Sequence, residues 1–235
     1  MEIYSILRVK WNALKRTKAF YFFIIFNYFV LAMVDTKSFV LMPGVENYIF
    51  RYVFQQLCIV ITSALFIYIV FNEKTIDSIK NYMIIYVKDI KSEVYGTALL
   101  CIIVNVVALF IGQIILLIIN YIYYGKVLLN LSIINFIIVS LQIVISILFV
   151  MSLRMYFKKN ILVFGIFYLT IMVMITINNV FITMPLTIKI LGIDQEAYYI
   201  TYGWQLWVGR LILLIISYVS FRLSINRLNK EWKNV

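Results

Sequence analysis

The chain has 235 residues, of which 64% are hydrophobic and only 13% charged, and its formal net charge is +11. Soluble globular proteins are close to half apolar and about one quarter charged, so this composition excludes an ordinary soluble protein and predicts a single membrane domain over residues 1–235. There is no histidine, and the only cysteines are Cys58 and Cys101, which disfavours metal centres, Ser-His hydrolysis and a disulfide framework.

An amphipathic helix is predicted over residues 1–16. Spacings of three and four residues place its apolar side chains on one side, with Arg8, Lys15 and Arg16 largely elsewhere. With Trp11 at the apolar edge, such a helix is expected to lie flat on the inner leaflet as an interfacial helix; the alternative is an ordinary basic flank that anchors the first span. The apolar side consists of Ile3, Ile6, Leu7, Trp11 and Leu14.

Six transmembrane helices are predicted, because crossing the hydrocarbon core takes about 20 apolar residues. No signal-peptide cleavage pattern follows the first apolar stretch, so we interpret it as a retained span. The last span is interrupted only by Arg210, whose side chain either extends outward to the interface or pairs with a carboxylate such as Asp194 or Glu196. A structural pair is favoured over a contact with substrate. The spans cover 19–34, 52–72, 94–125, 127–153, 160–188 and 203–221.

The basic residues predict the orientation. Most of the 21 Lys and Arg residues lie in four segments, namely the N-terminus, residues 71–96, the turn 154–160 and the C-terminus. The positive-inside rule assigns these segments to the cytoplasm. Dense use of Ile, Lys, Asn and Tyr is typical of an AT-rich bacterial genome, so we expect a multi-pass protein of a bacterial plasma membrane with both termini cytoplasmic. A nucleic-acid partner is not expected, since no basic soluble domain is present.

Residues 71–96, FNEKTIDSIKNYMIIYVKDIKSEVYG, form the longest polar stretch of the chain. Apolar residues recur at steps of three or four, which predicts an amphipathic helix with mixed charges on its other side. A segment that sought only anionic lipid would not need mixed charges, so the pattern favours a protein partner. The alternative is a solvated helix without a partner.

The order of these elements resembles the membrane subunit of type-2 ABC exporters. In that family the segment after span two often opens with Glu and a basic residue, runs through a Gly-Thr-Leu-Glu-like helix to Pro-Ile-Ser-Arg, and re-enters the membrane near Gly-Lys. Here Glu73-Lys74 matches the opening, VKDIKSEVYG resembles the Pro-to-Gly portion, and Gly96 matches the last glycine. No Gly follows Lys74, Val87 stands where Pro is common, and Thr97 replaces the Lys.

Two further segments resemble parts of that family. The turn RMYFKKN at 154–160 is similar to its second cytoplasmic contact. Residues 184–203 resemble its extracellular re-entrant segment, with Pro185, Gly192 and Gly203 as breaks in the helix.

The resemblance implies a permease that has no ATPase site of its own. The sequence contains no G-x-x-x-x-G-K-[ST] motif, so ATP and Mg would be bound by a separate nucleotide-binding subunit, and a second copy or a paralogue of the permease would complete the transporter. The segment 73–95 would be the cytoplasmic coupling helix. The residues expected to contact the ATPase are Glu73, Lys74, Asp77, Ile79, Met83, Val87, Lys88, Lys158 and Lys159.

The predicted spans have no central carboxylate and no recurring polar face, which disfavours proton-driven transport and a channel. Buried amides usually hydrogen-bond between helices, but Asn27, Gln55 and Gln56 lie on spans that line the transport path in the family. An aromatic and amide lining suits amphipathic peptides or lipophilic compounds. The alternatives are the substrate-binding membrane subunit of a vitamin importer and a non-transporting bacteriocin-immunity protein.

Overall fold

The computed structural model describes residues 2–25, 66–67, 69–70, 90–124, 129–157, 162–163, 165–167, 169 and 195–233. Within these ranges all regular structure is helical, which confirms the all-α prediction for the described part of the chain. Residues 18–25 are helical, as are the described residues within 66–70 and 162–169. The longer helices are α1 (Glu2–Leu14), α2 (Ile90–Tyr124), α3 (Leu129–Tyr156) and α4 (Gln195–Lys233).

Two of these helices contain segments that are long and apolar enough to cross a membrane. The segments are Ile90–Ile115 within α2 and Arg210–Lys230 within α4, and they qualify by length and composition. Both are rich in Ile, Leu and Val and contain no proline. In lipid such a sequence has to form a helix, because only a helix satisfies its backbone hydrogen bonds within one segment.

The predicted spans can be compared with the helices where the structure describes them. Spans 94–125 and 127–153 correspond to α2 and α3, and span 203–221 lies within α4. The spans predicted at 52–72 and 160–188 are described only in part, and the first span only as far as residue 25.

Helix α4 is much longer than the span predicted within it. Its 39 residues correspond to about 58 Å at 1.5 Å per residue, more than the roughly 40–45 Å of a whole bilayer. The helix also continues through Gly203 without a break. One glycine costs a helix only about 1 kcal/mol, which is too little to end it here. Pro185 and Gly192 lie outside the described residues.

Helix α2 is central to the described bundle, since it contacts α1, α3 and α4. Its buried side includes Cys101, Val104 and Leu109, which belong to the same apolar core as Ile147 of α3 and Phe221 of α4. The opposite side of α2 exposes a continuous apolar stripe. The stripe residues are Leu99, Ile103, Val107, Phe110, Ile111 and Ile114. A stripe of this length is the surface expected to face lipid rather than water.

Candidate functional site

The central feature of the candidate site is a buried lysine on α1. Ile6, Lys10 and Leu14 follow one another at steps of four, so they lie on one side of the helix, and all three are buried. Lys10 is only 4% exposed. Its Nζ forms an ion pair with Glu93 and also donates a hydrogen bond to the Thr97 hydroxyl. A lysine tolerates burial only when its charge is paired in this way.

Glu93 and Thr97 are four residues apart in the first turns of α2, so they lie on the same face. The Thr97 Oγ1 lies 2.8 Å from the main-chain carbonyl oxygen of Glu93 and 3.1 Å from its Oε1, and it can donate to either. The Glu93 carboxylate is also in the first turn of α2, where the helix dipole favours a negative charge. We call Lys10, Glu93 and Thr97 the Lys10 junction.

Gly96 allows α1 and α2 to approach closely beside this junction. A Cβ atom at Gly96 would lie 3.0 Å from Cγ2 of Ile6 and 3.9 Å from the main-chain oxygen of Ile3. Few side chains pack closer than this, so a larger residue at position 96 would push α1 away from α2. The glycine that the family resemblance places at the return to the membrane therefore has a packing role in this chain.

The same end of α2 also contacts α4. The rings of Tyr95 and Phe221 meet edge to face with centroids 5.6 Å apart, a favourable aromatic geometry. Tyr95 is thus linked to α4 while its neighbours Glu93 and Thr97 are linked to α1. The first turns of α2 are connected to two other helices at once.

Helix α4 is connected in turn to the last turns of α3. The Ser152 hydroxyl oxygen lies 2.8 Å from that of Ser220 and 2.9 Å from that of Ser224. The Arg227 guanidinium lies over the Tyr156 ring, with Cζ 5.0 Å from the ring centroid. Small hydroxyl residues let two helices pack closely and hydrogen-bond. The end of α3, the C-terminal part of α4, the start of α2 and α1 therefore meet at one end of the described bundle.

A disulfide between positions 152 and 224 would test this arrangement. With Cys58 and Cys101 replaced by alanine, the pair Ser152→Cys and Ser224→Cys is expected to cross-link almost completely on mild oxidation, because the two hydroxyl oxygens are within contact distance. The matched control is Ser146→Cys with Ser224→Cys, since Ser146 is also buried on α3 but lies about 9 Å from Ser152 along the helix. Equal cross-linking of the two pairs, measured by gel mobility, would contradict the packing.

No family model, no curated protein and no solved structure matches this chain.

The residues predicted from the sequence as ATPase contacts and substrate path lie outside the described residues. They are Glu73, Lys74, Asp77, Ile79, Met83, Val87, Lys88, Lys158, Lys159, Asn27, Gln55 and Gln56. The structure does describe the residues that follow the predicted coupling contacts and those that precede Lys158. Residues 90–95, the last part of the predicted coupling helix, form the first turns of α2 and continue directly into the apolar span. Ser152 and Tyr156, shortly before Lys158, contact α4.

Lys10 and Thr97 are site residues that the sequence analysis did not identify. In the sequence, Lys10 is one of the basic N-terminal residues that predict the orientation, and Thr97 is a departure from the family pattern. The signal was a lysine placed on the apolar stripe, four residues from both Ile6 and Leu14.

Arg210 and Asn105 are among the polar residues of the apolar helices that are fully or almost fully buried. Arg210 on α4 has no exposed surface, so its side chain does not extend outward as one of the two sequence interpretations allowed. Its predicted partners Asp194 and Glu196 have side chains outside the described part. Asn105 on α2 donates from Nδ2 to the Cys101 carbonyl oxygen at 2.8 Å. That bond lies within α2, whereas buried amides were expected to bond between helices.

Proposed function

We propose that this chain is the permease subunit of an ATP-driven exporter of the type-2 ABC class. In this proposal six transmembrane helices place both termini on the cytoplasmic side of a bacterial plasma membrane. The chain moves amphipathic peptides or lipophilic compounds out of the cell by alternating access, together with a second permease subunit. ATP and Mg belong to the partner ATPase.

The observation that supports this proposal most is the meeting of four chain segments at one end of the bundle. These are α1, the end of the predicted coupling helix, the residues before Lys158, and the C-terminal part of α4. They are the segments in which the basic residues are concentrated. A permease that receives mechanical work from a cytosolic motor needs its cytoplasmic elements connected in this way.

The contacts also suggest how movement would pass through the chain. A displacement of residues 73–95 reaches α2 directly, because residues 90–95 are part of that helix. The Lys10 junction carries the movement to α1, and the Tyr95–Phe221 contact carries it to α4. From α4 it reaches α3 through the three serines. Packed helices with connected ends move as units rather than deforming continuously.

Copurification tests the proposed motor partner. The tagged chain is expressed with the candidate ATPase from its own operon and extracted in a gentle detergent. We expect the ATPase to copurify with the parent chain and to be lost from the variants Ile79→Asp and Val87→Asp, because each places a charge on the apolar stripe of the coupling helix. The matched control is Asn12→Asp, which places the same charge at an exposed position of α1 outside the coupling segment and should retain the ATPase. Absence of any ATPase from the parent preparation would contradict the proposal.

A further inference from the structure

An apolar groove of about 500 Å³ lies between α1 and α2, separate from the Lys10 junction. Leu7 and Trp11 form its α1 wall, and Leu100, Val104 and Val107 form much of its α2 wall. Among the described residues that line it, Arg8 is the only charged one. The volume is within the range of about 300–1,000 Å³ that is typical of ligand sites.

The groove opens towards the apolar surface of the bundle. Val107 lines the groove and is also part of the exposed stripe of α2, as is Ile103. That stripe belongs to one of the two described helices that are long and apolar enough to cross a membrane. A molecule in the groove would therefore be reached sideways from the lipid, without passing through water.

Arg8 gives the groove a charged lining residue. Arg8 lies on α1, two residues before Lys10, which pairs with the first turn of α2. The α2 wall of the groove runs from Leu100 to Ala108. That wall is about 12 Å long at 1.5 Å per residue. Arg8 is exposed, and within the described part of the chain no hydrogen bond or ion pair involves its guanidinium. The groove thus combines an exposed guanidinium with extended apolar walls.

This combination matches the chemistry of a lipid. A guanidinium pairs with a phosphate through two parallel hydrogen bonds, and the apolar walls suit a hydrocarbon chain. A peptide fits less well, because its backbone amides need hydrogen-bond partners. Of the described lining residues only Tyr4, Arg8 and Trp11 have polar side-chain atoms.

We propose that this groove holds an acyl chain of an anionic phospholipid of the cytoplasmic leaflet, whose phosphate pairs with Arg8. The proposal needs the chain to be in a membrane with α1 at the cytoplasmic face. It does not need an ATPase partner, so it can stand or fail independently of the exporter proposal.

Photo-cross-linking tests the site directly. The full chain is placed in nanodiscs of phosphatidylcholine with a trace of phosphatidylglycerol that carries a diazirine at the end of one acyl chain, and the labelled residues are mapped by mass spectrometry. We expect labelling of residues 100–108 and of α1. Arg8→Ala should lower it about fivefold, the effect of one basic residue at an anionic membrane surface. Val107→Trp should remove most of it by filling the groove.

Two matched variants serve as controls. Arg222→Ala removes another exposed arginine, and Ile111→Trp adds the same bulk to the exposed stripe one turn beyond Val107; both should label like the parent. The proposal would be overturned if Arg222→Ala reduced labelling as much as Arg8→Ala, or if Val107→Trp had no effect. Equal labelling by a phosphatidylcholine probe would overturn the preference for an anionic lipid, because both lipids carry the phosphate that pairs with Arg8. Displacement of the probe by an amphipathic peptide, but not by unlabelled phosphatidylglycerol, would assign the groove to a peptide instead.

Discussion

Replacing Lys10 with methionine is expected to destabilise the docking of α1 by about 3–5 kcal/mol, because Glu93 would lose its ion-pair partner in a largely buried site. The Lys10 side chain is 5% exposed and that of Glu93 18% exposed, so water can replace little of the lost interaction. At 1.4 kcal/mol per factor of ten, the undocked fraction of α1 should rise by roughly two to three and a half orders of magnitude. Trypsin cleavage after Arg8 reports that fraction, since proteolysis follows the population of the open form.

Two further variants separate the ion pair from the general effect of losing a charge. Lys15→Met removes an exposed lysine of the same segment, whose Nζ lies 5.2 Å from the Trp11 ring; a contact of this kind contributes only about 0.5–1 kcal/mol. The double variant Lys10→Met with Glu93→Leu should recover most of the loss, because apolar pairs often replace buried ion pairs without cost. If Lys10→Met and Lys15→Met were cleaved at the same rate, Lys10 would not be buried as described.

The second large effect of replacing Lys10 is expected on transport rather than on assembly with the ATPase. If the Lys10 junction carries movement from the coupling helix to α1, the Lys10→Met variant should still copurify with the ATPase. It should, however, lose ATP-driven uptake of peptide into inside-out membrane vesicles. Coupling free energies of about 1–3 kcal/mol correspond to a loss of roughly 5- to 150-fold. The variant with both partners replaced should restore α1 docking and, with it, much of the uptake.

The outcome for this variant distinguishes transmission from folding. Uptake that falls in proportion to the amount of folded chain would mean that Lys10 matters only for stability. Uptake that stays at the parent level while α1 is undocked would show that α1 takes no part in transport. Either result would contradict the proposed path through the Lys10 junction.

Helices whose boundaries depend on hydrophobicity alone were predicted well from the sequence. The predicted spans at 94–125 and 127–153 are uncharged apolar runs, for which lipid would leave the backbone no alternative to a helix. They agree with α2 and α3 within four residues at either end. The ends of α4 were harder to predict. Charges mark where a chain leaves the membrane, but a helix continues beyond that point wherever the local sequence favours it.

The Lys10 junction could not be predicted from sequence patterns alone. Lys10 and Glu93 are 83 residues apart in the chain, so their pairing depends on how α1 packs against α2. The sequence did contain both halves of the signal, a lysine on the apolar stripe of α1 and a Glu and Thr four residues apart on α2. Neither sequence signal identifies the other as its partner, because a buried charge can be paired by any opposite charge that the packing brings within reach.

The most direct test of the exporter proposal is uptake into inside-out membrane vesicles that contain the chain and its ATPase. A labelled amphipathic peptide is added outside, with ATP or with a proton gradient as the only energy source. We expect accumulation with ATP that a proton gradient does not replace, and loss of accumulation in Val87→Asp. Accumulation driven by the proton gradient alone, or the same ATP-driven uptake in vesicles that lack this chain, would contradict it.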